Sequence, residues 1–330
     1  MKIFCPSQSM NRKKFLKSAS VLALASIPGS SVLSETLRNP SKPLPIIDTH
    51  QHLADLVRFG KGWTSPPVPG NYDMKAYMQA VRNVNMVKAV YMEVAVPVAK
   101  RHEEAMYAIE MCKDKSNPTV AAVISADLMS PDFENYITQF KGSEYIKGIR
   151  YGFRSVEEMK DPLLIKNVEV LGKLNLSLDF TIAPARLTSI AELIKTCPGT
   201  RFLVNHCGNV DPRAFMDPAI TGGKANHDAQ EWIAAMKTVA ENKNVVCKIS
   251  GIISVSSGYP KSAETLGPGI NHCLDIFGPN RVMFASDWPW CLKGSELENW
   301  VNILKEIVKN RPYKEQKKLF HDNAVKFYHI

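Results

Sequence analysis

Eight short runs rich in β-branched and aromatic side chains recur along the chain. Each is separated from the next by a longer segment whose apolar residues follow a helical period. The runs are Ile46–His50, Val87–Ala95, Val120–Asp127, Ile146–Phe153, Leu176–Ala183, Arg201–Cys207, Val245–Ser250 and Val282–Asp287. The segments between them are Met74–Asn85, Glu103–Lys115, Phe133–Phe140, Leu163–Leu174, Ser189–Cys197, Ala229–Glu241 and Ile270–Phe277, and Glu296–Lys309 follows the last run. Parallel strands need long crossovers, usually helical, so strict strand–helix alternation predicts an α/β protein with a parallel sheet. Eight such units are the number that closes a (β/α)8 barrel, which at this size counts as a single domain over residues 46–330. The rival is an open doubly wound sheet. No Gly-x-Gly-x-x-Gly follows any of the runs, so its dinucleotide-binding form lacks the phosphate-cradling turn it needs.

Charge is concentrated ahead of this domain. The first 34 residues carry five basic side chains (Lys2, Arg12, Lys13, Lys14, Lys17) and no acid, then the apolar stretch Ser18–Ile27 and the small residues Gly29–Ser31. That is the layout of an export signal, and it predicts a protein of the periplasm or cell exterior. Asn11-Arg-Lys-Lys-Phe-Leu-Lys17 resembles a twin-arginine motif with Lys13 in place of the second arginine. The apolar stretch falls short of the roughly 20 residues that span a bilayer, so no stable membrane insertion is expected. Residues 35–45, with three prolines in Asn39–Pro45, read as an extended linker. Without the leader, 36 basic residues face 32 acidic ones, so the net charge of +9 falls to +4. No arginine-rich run with interleaved aromatics is present, and nucleic acid is not an expected partner. The seven cysteines show no Cys-x-x-Cys spacing and read mostly as small buried apolar residues.

In a barrel of this kind the chemistry sits at the C-terminal ends of the strands, where βα loops form one mouth. Those ends collect His50 and His52, Glu93, Asp127, Arg150, Asp179 or Thr181, His206, Lys248 and Asp287. On an extended strand His50 and His52 share a face and can converge on one ion, water or carbonyl oxygen. His102 follows the second run closely enough to reach the mouth. Trp288 and Trp290 flank Asp287 and could wall a sugar ring.

The ordered set Asp48-Thr-His-Gln-His52, Gly62-Trp63, Lys147-Gly-Ile-Arg150, Asn205-His-Cys-Gly208, Asn244–Gly251, Phe277–Pro289 and Asn323–Tyr328 resembles the amidohydrolase superfamily. Within it, the resemblance is to the branch of sugar-lactone and 2-pyrone-4,6-dicarboxylate lactonases that includes fuconolactonase and rhamnonolactonase. The resemblance implies a distorted (β/α)8 barrel that hydrolyses an ester or amide-like bond of a small-molecule substrate. It implies that Asp287 is the general base for water, with burial raising its pKa toward the working range. His50, His52 and His206 would polarise the scissile carbonyl or hold a metal that does so. Arg150, assisted by Tyr151, would anchor a carboxylate or sugar hydroxyls, with Trp63 nearby. The fourth and fifth strand ends, Ile149-Arg-Tyr151 and Thr181-Ile-Ala183, lack the bridging ligand of a two-metal centre. The expected cofactor is therefore none, or one divalent cation, zinc by preference, on His50, His52 and Asp287 with Glu93 or His206 as a fourth ligand. A lactone hydrolase is the leading reading. A mononuclear zinc hydrolase or decarboxylase, and a sugar-acid binding protein without turnover, are the alternatives; a homo-oligomer is left open.

Overall fold

The computed structural model describes residues 43–60, 69–221, 223–255 and 259–330. The leader, most of the linker and Trp63 lie outside the described residues. Eight strands form one sheet in sequence order: β1 Ile46–Gln51, β2 Met86–Met92, β3 Thr119–Ser125, β4 Ile146–Gly152, β5 Ser177–Thr181, β6 Arg201–Val204, β7 Val245–Ile249 and β8 Val282–Phe284. Every neighbouring pair is parallel. Most strand residues are buried, as expected where helices cover one face of the sheet and the opposite face lines the barrel interior. The seam between first and last strands is closed by His52 N–H donating to the Trp288 carbonyl (2.8 Å) and Asp287 N–H donating to the His50 carbonyl (3.0 Å). The Thr49 hydroxyl adds a bond to the Phe284 carbonyl at 2.7 Å. These contacts make the sheet a (β/α)8 barrel.

The helices follow the apolar pattern with one instructive difference. Ala229–Glu241 is a helix over that whole span, started by the Asp228 carboxylate accepting from the N–H groups of Gln230 and Glu231. The helix expected from Ile270 begins at Ala263 instead. There the Ser262 hydroxyl accepts from Thr265 N–H while Thr265 Oγ1 accepts from Ser262 N–H, a capping box that starts the helix ahead of the strongly apolar stretch. Conversely, β6 and β8 stop at Val204 and Phe284, short of the expected Cys207 and Asp287. The chain leaves the ladder there because His206, Cys207 and Asp287 take left-handed backbone angles, with φ of 56°, 50° and 58°.

Two layers fill the fold. The outer one packs helices on the barrel wall. The inner one gathers Ile47, Val90, Met92, Ala121, Val123, Leu203 and Met283 with Ala324 and Tyr328 from the terminal helix Asn323–Tyr328. Asp179 and Lys248, expected at the mouth, are fully buried partners instead. Lys248 Nζ donates to Asp179 Oδ2 at 2.8 Å, Tyr328 OH donates to the same oxygen at 3.2 Å, and the Ser177 hydroxyl serves the other oxygen at 2.9 Å. They tie β7, β5 and the terminal helix together. Cys112, Cys197, Cys207, Cys247, Cys273 and Cys291 are all buried and free.

Candidate functional site

At the mouth, β1 and the segment after β8 are stapled by a buried carboxylate. Asp48 Oδ1 accepts from the backbone N–H of His50 (3.1 Å) and Ser286 (2.8 Å), while Oδ2 accepts from the hydroxyls of Tyr77 (3.0 Å) and Ser286. This fixes His50 relative to Asp287, one residue beyond Ser286. Asp48 belongs to the first-strand motif, but its structural role was visible only once Ser286 and Tyr77 were placed around it.

The four expected catalytic side chains come together. His50 Nε2 and His52 Nε2 are 3.1 Å apart, and each lies 3.6 Å from Asp287 Oδ1. His206 approaches from the other side, its Nδ1 3.9 Å from Asp287 Oδ2 and 3.0 Å from the Ser250 hydroxyl. The fit around His206 is tight. Gly251 sits at φ 67°, and a Cβ there would meet the His206 Cβ, Cγ and Nδ1 at 2.6 Å, so both conformation and space demand glycine.

Hydrogen bonding sets the proton positions. The Glu93 carbonyl, 2.7 Å from His52 Nδ1, can only accept, so Nδ1 carries a proton. His50 is driven well below the ordinary histidine range by burial and then by the positive charge of Lys248; His206 is pushed down to about 4 by burial, against the pull of Asp287. Both imidazoles are therefore neutral near pH 7. Asp287 corrects an expectation. Burial does push its carboxyl up, but His206, a hydrogen bond from His52 and Arg150 outweigh it, and the group lies below the usual carboxylate range. It is ionised at every pH near neutrality.

Donors at these spacings suit one tetrahedral cation, whose ligands at about 2.0–2.1 Å stand about 3.3 Å apart. The set of two imidazole nitrogens and a carboxylate oxygen also matches zinc in kind. Glu93, considered as a further ligand, is committed elsewhere. Its Oε1 accepts from Arg150 Nη1 at 2.7 Å and its Oε2 from Ala95 N–H at 2.7 Å. Arg150 also reaches Thr181 Oγ1 at 3.5 Å, so the expected anchor is held in place with half its fork in use.

The remaining candidates lie elsewhere. Tyr151 neighbours Arg150 on β4 and must face the opposite side of the sheet; it is buried there, its hydroxyl donating to Glu158. Trp288 is buried with its ring against the edges of Tyr72 and Tyr77, both at 5.4 Å, rather than walling the mouth. His102 is exposed on the helix Arg101–Lys113, its ring 5.7 Å from that of Phe140. Asp127 accepts from Met129 N–H at 3.0 Å as a loop cap.

Beneath Glu93 lies a buried acid that the sequence gave no reason to single out. Glu104 Oε1 accepts from Tyr91 OH (2.9 Å) and Val94 N–H (2.6 Å), holding the turn that follows β2. Burial, and then the charge of Glu93, push its carboxyl up to about 8. An acid raised this way keeps its proton in the folded chain while the unfolded chain loses it, so it stabilises the fold fully below about pH 4.5, and this contribution is lost as pH rises toward 8. Glu104→Gln keeps the acceptor and has no proton to lose. Its melting temperature is expected to fall less between pH 5 and pH 8 than that of the wild type, measured by circular dichroism; parallel curves would show that Glu104 does not titrate across this window.

Comparison with known proteins places the chain in a family. Residues 47–330 match the model of the amidohydrolase family. The protein y4mH of Sinorhizobium fredii is 27% identical over 311 residues, covering 87% of this chain and 99% of the relative. An L-fucono-1,5-lactonase of Burkholderia ambifaria is 24% identical over 247 residues, covering 74% and 80%. Among solved structures, an amidohydrolase of Burkholderia multivorans with bound zinc shares the fold at a TM-score of 0.72 and 19% identity, covering 87% of this chain and 99% of that one. With its family model matched from the first barrel strand to the last residue, this chain belongs to the amidohydrolase family.

Proposed function

We propose that the chain is a lactone hydrolase acting on a sugar-derived or carboxylated lactone, and that its leader-like first 34 residues direct it out of the cytoplasm. The observation that carries the reading is the Asp287 carboxylate, held ionised within 3.6 Å of two imidazole nitrogens at a barrel mouth. In this reaction Asp287 accepts a proton from water as its oxygen attacks the lactone carbonyl. Charge then grows on the carbonyl oxygen, and the histidines are placed to stabilise it where it develops. Collapse breaks the ring C–O bond, and the proton held at Asp287 passes to the leaving alkoxide. Arg150, steadied by Glu93, orients the substrate through its free donors. The lactonase among the relatives supports the substrate class.

A second reading, a zinc-dependent hydrolase, is favoured by the donor spacing of His50, His52 and Asp287. A divalent ion held by those three side chains would supply Lewis-acid polarisation of the carbonyl. A pH-indicator assay of the purified chain against a panel of aldonolactones, with and without chelator, tests both. Hydrolysis that survives chelation is the expected result. Loss to chelator with recovery on adding zinc would select the second reading, and silence across the panel would overturn the lactone assignment.

A further inference from the structure

Three cysteines beside the catalytic cluster take no part in the reaction above. Cys207 follows His206 in the left-handed turn after β6, Cys247 lies in β7, and Cys273 projects from the helix Ala263–Phe277. All three are fully buried, and their sulfurs lie within 4.8 Å of one another. Cys207 Sγ and Cys247 Sγ each approach the Lys248 carbonyl at 3.7 Å. If cysteine served only as small apolar filling, nothing would draw three thiols from separate elements to one point. Cys112, Cys197 and Cys291 are also buried, yet they join no such group among the described residues.

We propose that Cys207, Cys247 and Cys273 form a binding site for a soft, three-coordinate thiophilic centre, with trivalent arsenic as the species it fits. Three sulfurs each about 2.3 Å from a pyramidal centre stand about 3.5 Å apart, so sulfurs within 4.8 Å of one another need to close by no more than about 1.3 Å. Softness excludes magnesium and calcium, which require oxygen ligands. A zinc site closed to solvent takes four protein ligands, and no fourth Cys, His, Asp or Glu joins these three fully buried sulfurs among the described residues. Charge decides between the remaining soft centres. Three thiolates around a monovalent ion would bury a double negative charge, whereas three around a trivalent centre bury none.

The reaction balances without an oxidant. Neutral arsenous acid, As(OH)3, exchanges each As–O bond for an As–S bond. Each thiol proton leaves with a hydroxyl as water, giving one As(S-Cys)3 and three waters with arsenic still trivalent. Because Cys207 is bonded directly to His206, drawing its sulfur toward Cys273 moves the turn that carries the imidazole. Occupancy is therefore expected to lower kcat while leaving KM little changed.

The test treats the purified full chain with arsenite and removes the excess. Arsenic K-edge absorption should then show one arsenic per chain with three sulfur neighbours and no oxygen. Arsenic surrounded by oxygen or nitrogen would overturn the site. Cys273→Ser, outside the catalytic machinery, should keep its activity but need at least tenfold more arsenite for the same loss; equal sensitivity would likewise overturn it. If that variant does not fold, Cys273→Ala and the wild-type sulfur count carry the same decision. The absorption measurement does not depend on the substrate, so the site stands or falls separately from the lactonase reading.

Discussion

Asp287→Asn should lower kcat on the best lactone by at least about a thousandfold, close to 4 kcal/mol of barrier. The asparagine amide cannot take a proton from water. The substitution is structurally mild for a specific reason. Asp287 sits at φ 58°, and asparagine is among the few residues that occupy this left-handed region readily. The backbone bonds that flank the site, Asp287 N–H to the His50 carbonyl and Cys291 N–H to the Asp287 carbonyl, involve no side-chain atom and persist. Calorimetric binding of the hydroxy-acid product should therefore survive while turnover does not. A variant within tenfold of wild type would remove Asp287 from the role of base, since that corresponds to only about 1.4 kcal/mol of transition-state stabilisation.

The largest effect on stability is expected at Lys248. Its ammonium and the Asp179 carboxylate are both fully buried at 2.8 Å, and burial alone drives the lysine below its ordinary pKa while Asp179 pulls it back. Lys248→Met removes one partner and leaves Asp179 with only the hydroxyls of Ser177 and Tyr328. Breaking a buried pair in this way costs about 3–5 kcal/mol. Replacing both charges, as in Lys248→Met with Asp179→Leu, should recover most of that loss, because the desolvation penalty of the survivor disappears. Urea unfolding with unchanged slope would read the difference directly. A single variant less than about 1 kcal/mol from wild type, or a double variant no better than the single, would show that the pair contributes little to holding β5, β7 and the terminal helix together.

How far the sequence spoke depended on which physical signal each element carries. The barrel was legible because strands buried on both faces read as continuous apolar runs, and the amphipathic segments between them kept a helical period. The convergence of His50 and His52 followed from their spacing. The ends of β6 and β8 were not legible, because Cys207 takes a left-handed angle that its residue type disfavours, and the enrichment of His and Asp in that region is too weak to mark His206 and Asp287. Tyr151 was open to correction from the sequence alone, since a side chain adjacent to Arg150 on a strand faces away from it. The lowered pKa of Asp287 could not be read at all. It arises from His206, His52 and Arg150, which lie just after β6, just after β1 and in β4 and meet only in the folded barrel.

The staple between Asp48 and Ser286 joins residues 238 positions apart. A closure of that length is entropically costly and comes late to a growing chain, because nearly the whole barrel has been synthesised before the second half of the staple exists. Of the four groups at the mouth, only the acid arrives with that last strand. A partly made or partly opened molecule thus carries its imidazoles without the base, and recovery of turnover on refolding should time the meeting of the first and last strands.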